Sequence, residues 1–207
     1  CLPFLLGAAA IAATFELHAG VVGNTRILGH NLEVELYLKE HKLKATDHVL
    51  AKTADAETFS CFLNKSFRIL SVKASNDKLD FKVRDAMPGE GVTAHPDVTR
   101  RPQRLEISIP QEFRALPAVT IDVEYEGVLP ASPYSLEKED VGDTTGIIGE
   151  DGVYLSPACL WYPDEPDSLA TFKVTVTTPV EYEAITEGAL VNKGSPGGKS
   201  FSTWEEK

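Results

Sequence analysis

From residue 31 onward, apolar and polar side chains alternate one by one. Leu32, Val34, Leu36 and Leu38 interleave with Asn31, Glu33, Glu35 and Tyr37. Successive side chains of a strand point to opposite faces, so this order builds a ribbon with one dry and one wet side. Leu43 and Ala45 resume the pattern after a Lys39-Glu40-His41-Lys42 turn, and Phe59, Cys61 and Leu63 repeat it. Further runs are Ile69–Val72, Leu79–Val83, Leu105–Ile109 closed by Pro110, and Val119–Tyr125 followed by Gly127. Ala170–Val176 ahead of Pro179, and Tyr182–Ile185, complete the set. Outside the first residues there is no sustained helical stripe with caps. Short alternating strands separated by Gly, Pro, Asn and Asp predict an all-β fold, an antiparallel β-sandwich or saddle-shaped sheet domain. With 207 residues, 43% of them hydrophobic, the chain can bury a sizeable core.

Two stretches interrupt the pattern. Asp85–Arg104 carries three prolines and the pair Arg100-Arg101, and is expected to form a solvated hairpin excursion. Val128–Gly152 is long and acidic, with Pro130, Pro133, Gly142, Gly146 and Gly149. Loops beyond about 15 residues are uncommon in compact domains and are often functional.

Charge is unevenly spread. The net value is −11, yet residues from Ile121 to Lys207 hold 17 acidic and 5 basic side chains. Nucleic-acid binding, which needs a basic footprint, is excluded. An acidic half is a solubilising surface or the border of a site for cationic ligands such as peptide amino termini.

Leu2–Ala13 is an apolar run ending in small residues, with Ala10-Ile11-Ala12 offering a cleavage pattern. Spanning a bilayer takes about 20 apolar residues, so the run reads as the core of a truncated signal peptide rather than a transmembrane span. The expectation is an exported protein, periplasmic or extracellular, with residues 1–13 as leader and residues 14–207 as one β-rich domain. The sole Met is internal, and Phe201–Lys207 reads as strand up to the last residue, so the chain is expected to be cut at both ends. In an oxidising compartment Cys61 and Cys159 can pair, or remain as buried thiols.

Chemistry-bearing motifs are scarce. Five histidines occur, but none forms the His-Glu-x-x-His arrangement of zinc peptidases. His41 and His48 are expected at the surface. No nucleophile elbow, phosphate cradle or calcium loop is present. Asp164, Glu165 and Asp167, flanked by Pro163 and Pro166, are expected to cap backbone donors in a rigid turn. No metal site is expected in these residues.

Gly152–Pro179 is the most telling stretch. Tyr154, Trp161 and Tyr162 lead into a Pro-rich turn, then a strand with Thr171, Lys173 and Thr175 outward. Asp164-Glu165-Pro166, followed by Ala170-Thr171-Phe172 and a strand ending in Pro, resembles the N-terminal domain of the aminopeptidase N family of zinc metallopeptidases, which includes leukotriene hydrolase-type enzymes. The resemblance covers roughly residues 30–205. Leu160-Trp161-Tyr162-Pro163 stands where the family has aromatic-Pro-Cys-aromatic, and Ser156-Pro157-Ala158 stands near its usual arginines, which points to a divergent bacterial-type branch.

The resemblance implies a non-catalytic domain that covers an active-site cleft. It implies that zinc belongs to a downstream catalytic domain of the same chain, with no cofactor in this segment. In the family a Gln or Glu upstream of Asp-Glu-Pro helps hold the substrate's amino group. Counting back from Asp164 places Glu150 nearest that position, with Asp151 beside it, and a carboxylate suits a desolvated ammonium. The implied partners are the catalytic domain and a peptide amino terminus. Two other readings are a secreted adhesion or carbohydrate-binding module, with Tyr154, Trp161 and Tyr162 as a stacking platform, and a relative whose downstream domain has lost its zinc ligands.

Overall fold

The computed structural model describes residues 25–87, 89–90, 102–131, 146–165 and 168–207. The expected leader, residues 1–13, and Asp167 lie outside these, as do most of the Asp85–Arg104 excursion and residues 132–145 of the acidic stretch.

Strands β1 (Arg26–Tyr37) and β2 (Lys42–Lys52) form a long hairpin in which Val34 faces Ala45 and Leu36 faces Leu43. Next come β3 (Thr58–Leu63), β4 (Phe67–Ala74), β5 (Asp77–Lys78), β6 (Phe81–Asp85) and β7 (Gln103–Ser108). After one helical turn, α1 (Gln111–Arg114), the chain continues through β8 (Val119–Val128), β9 (Ile147–Gly149) and β10 (Gly152–Tyr154). The last strands are β11 (Thr171–Pro179), β12 (Ala189–Gly194) and β13 (Lys199–Glu206). Eight strands make one sheet in the order β12-β13-β11-β1-β2-β8-β4-β5, a second sheet is β3-β7-β6, and β9 and β10 pair alone.

The alternation explains the packing. Leu43, Ala45, Val49 and Ala51 of β2 and Val119, Ile121, Val123 and Tyr125 of β8 turn inward from the large sheet. Phe59, Cys61 and Leu63 of β3 meet them from the small sheet, with Leu105 and Ile107 of β7, in one continuous core. Burying each such side chain is worth about 1.5–3 kcal/mol. The polar rows lie on the other face of the large sheet, where Lys42 and Lys44 of β2 pair with Glu126 and Glu124 of β8. The all-β sandwich is the architecture observed.

Three details depart from the expectation. The sheet is not purely antiparallel: β1 and β11 run parallel, with Glu35 opposite Thr177. Tyr182–Ile185 is not a strand, because Tyr182 closes a turn on Pro179 and the Thr178 hydroxyl donates to its carbonyl at 3.0 Å. Instead the edge strand is β12, farther on. Within the acidic stretch, Ile147–Gly149 is ordered as β9. Cys61 and Cys159 are both buried free thiols, so the two do not pair.

Candidate functional site: an acidic hairpin beside a polar groove

Gly149 of β9 faces Gly152 of β10, which leaves Glu150 and Asp151 as the two-residue tip of a short hairpin. Both acidic residues are exposed. The flanking glycines have local reasons. Gly152 takes φ +154°, and a Cβ on Gly149 would collide with the Ala131 carbonyl oxygen. That close approach lets the Ile148 N–H donate to the Pro130 carbonyl at 2.9 Å.

Two side chains from the large sheet hold the hairpin from outside. His41, in the β1–β2 turn, donates from Nδ1 to the Ile148 carbonyl at 3.0 Å. The Tyr182 hydroxyl donates to the Glu150 carbonyl at 2.9 Å. The expectation that His41 and His48 are surface residues is met only in part: both are half-buried, and His48 pairs with Asp122 at 2.6 Å.

Beside the tip runs a groove of ≈ 550 Å³, formed where β1 and β11 end. Glu150 lines it together with Glu35, Glu40 and Glu181, against two cations, Lys39 and Lys199. Asp151 is not among the lining residues. Lys199 pairs with Glu35, and the Tyr37 hydroxyl donates to the same carboxylate at 2.7 Å. The bond from Lys199, then that from Tyr37, holds the Glu35 carboxyl below its usual range, and Glu35 in turn pushes the Tyr37 hydroxyl up to about 12. With Glu35 neutralised, Glu40, Glu150 and Glu181 outnumber Lys39, so the groove favours a cation.

The aromatic segment behaves differently from a ligand platform. Tyr162 is buried, its ring edge-on to His30, Trp161 and Phe172 at 5.2, 4.9 and 5.3 Å. Tyr154 alone is broadly exposed, so the three do not share a surface. Asp164 does cap a donor, its Oδ1 accepting the Glu165 N–H at 2.8 Å, and its backbone pairs with Phe62 of β3. Burial raises the Asp164 and Glu165 carboxyls above their ordinary values.

Sequence reasoning missed the buried His30–Asp47 pair and the role of Tyr182. Parity was the available signal for the pair. His30 lies two residues before Leu32, and Asp47 falls in the Leu43, Ala45, Val49, Ala51 row. No local signal marks Tyr182, whose contact with Glu150 spans 32 residues of sequence.

Among the described residues no group of three or more His, Cys, Asp or Glu side chains can hold a metal ion, and no helix is long and apolar enough to cross a membrane. The described residues therefore do not fit a zinc centre.

No family profile matches the sequence, and no curated protein matches it. Solved structures do. A mutant of the M1 zinc metallopeptidase of Deinococcus radiodurans, bound to a Tyr-Ser-Ala substrate, superposes with a TM-score of 0.63 at 15% identity, over 88% of this chain and 39% of that one. This chain has the fold of the amino-terminal part of the M1 zinc metallopeptidases. Legionella pneumophila aminopeptidase A in complex with aspartic acid gives 0.56 at 13% identity, over 88% of this chain and 20% of the other. Yeast LTA4 hydrolase in complex with bestatin gives 0.53 at 11%, over 88% and 26%. The chain thus spans well under half the length of each of these solved chains.

Proposed function

We propose that this chain is the non-catalytic, β-rich amino-terminal domain of an exported zinc aminopeptidase-like protein. It packs against a downstream catalytic domain that carries the zinc, and offers Glu150 to the amino terminus of a peptide. The observation that carries the reading is the placement of Glu150: exposed, at a hairpin tip, and lining a groove with a surplus of carboxylates. A peptide ammonium leaving water needs a negative partner with strong acceptor oxygens, and charge-assisted hydrogen bonds of this kind are about twice as strong as neutral ones. Asp151, the neighbouring acid, adds to the local potential. The M1-type fold supports the same reading.

The domain itself performs no bond cleavage in this account. Its contribution is to bind and orient the substrate, which lowers the entropic cost of reaction at the neighbouring centre. The test is steady-state kinetics on the longer protein with unblocked and N-acetylated peptides. Glu150→Ala should raise KM for unblocked peptides alone, whereas unchanged kinetics rejects the role of the residue.

A further inference from the structure

We infer that His41 and Tyr182 are positioning residues that hold the β9–β10 tip so that Glu150 lines the groove, an inference that rests on the amine-binding reading of Glu150. The β9–β10 hairpin has three residues on each strand and joins neither sheet. A two-stranded ribbon is marginally stable at best in water, so its direction must be imposed from outside. Ile148, buried in the core with its N–H on the Pro130 carbonyl, anchors one strand, and two side chains add to that hold. They reach alternate carbonyls of the hairpin, Ile148 and Glu150, from separate elements.

The convergence follows from the one parallel pairing in the sheet. β1 and β11 run side by side in the same direction, so the turns that follow them emerge at the same end. The first turn carries His41, at φ +54°, and the second carries Tyr182. Neither side chain is loosely held. The Leu129 N–H donates to the His41 carbonyl at 2.9 Å, just ahead of the chain that leads to β9. Tyr182 packs on the core, and its backbone is closed onto Pro179 and Thr178. The same strand ends line the groove, so groove and hairpin share one frame.

The tethers act on the backbone and leave the Glu150 carboxylate free for a ligand. In both cases the side chain donates and the hairpin carbonyl accepts. His41 needs a hydrogen on Nδ1, and an asparagine amide can supply a donor at similar reach. Asparagine also tolerates positive φ.

The experiment uses the longer protein that contains this chain. Backbone hydrogen exchange at residues 148–152 and steady-state kinetics on an unblocked tripeptide and its N-acetylated form are measured for Tyr182→Phe, His41→Ala, His41→Asn and Glu150→Gln. Tyr182→Phe and His41→Ala should speed exchange at the tip and leave β1, β2 and β8 protected. Each should raise KM for the unblocked peptide by roughly three- to tenfold, as the loss of one hydrogen bond predicts, with kcat retained. His41→Asn should restore both readouts. If Glu150→Gln raises KM while Tyr182→Phe shows wild-type exchange and wild-type KM, the positioning role alone is overturned. If Glu150→Gln leaves KM unchanged, the amine-binding reading fails, and the purpose of the tethers fails with it.

Discussion

His30 Nδ1 lies 2.7 Å from Asp47 Oδ2, and neither side chain reaches solvent. The bond ties β1 to β2, and the His30 ring stacks on Phe172 of β11 at 4.6 Å, so three adjacent strands meet at one polar contact. Burial pushes the Asp47 carboxyl up, while the bond from His30 opposes that shift. Taking charges or polar groups out of water is costly, and a close pair offsets the cost only while both partners are present.

Removing one partner should therefore cost more than removing both. His30→Phe is expected to destabilise the fold by about 3–5 kcal/mol, because Asp47 is left buried without its partner. The double variant His30→Phe with Asp47→Leu should lose far less than the sum of the single losses. Urea unfolding of the four members of this cycle measures the coupling, and additive losses would show the contact to be inert.

A second electrostatic contact gives acid sensitivity. Glu90 accepts hydrogen bonds from Arg84 at 2.6 and 3.0 Å, from Arg104 at 3.0 Å and from the Met87 N–H. The Arg84 bonds in particular hold its carboxyl down at about 2, below an ordinary 4.5. A depressed carboxyl stabilises the fold above its unfolded value and loses that contribution as pH falls toward 2. Arg84 is partly exposed, so the expected loss in Glu90→Gln is only about 1 kcal/mol at pH 7. The gap between variant and wild type should close as the pH is lowered from 5 to 2, read as the difference in urea midpoint. A gap that persists at pH 2 would contradict the assignment.

Much of the sheet framework is legible from alternation because burial and parity coincide there. In β2 and β8 every second side chain enters the core, so period two maps directly onto the fold. Legibility ends where that link breaks. Ala189, Leu190, Val191, Asn192 and Lys193 of β12 are all exposed, with a register shift between Leu190 and Asn192, so the strand leaves no apolar rhythm. Tyr182–Ile185 has the composition of a strand but follows Pro179 into a turn closed by Thr178. Counting back from Asp164 on the family resemblance singles out Glu150 and Asp151, and only the pairing of β9 with β10 makes them a hairpin tip. Its tethers could not be found by counting, because the contact from His41 joins residues 107 apart and depends on which strands lie parallel.

The buried thiols give a third prediction. Burial pushes the Cys61 thiol up strongly and raises Cys159 to about 11, and only thiolates react readily. In a Cys1→Ser background, native protein should leave a disulfide reagent at neutral pH almost unconsumed. Denatured protein should titrate two thiols. Rapid reaction of the native form would place one of them at the surface.

The most direct test of the account compares peptide hydrolysis by the 207-residue chain alone with that by the longer protein. An unblocked tripeptide, Tyr-Ser-Ala, serves as the probe, assayed with zinc and with a chelator. The account predicts no release of tyrosine by the isolated chain under any condition, and zinc-dependent release by the longer protein. Cleavage by the chain alone, or a longer protein that cleaves equally well under chelation, would contradict it.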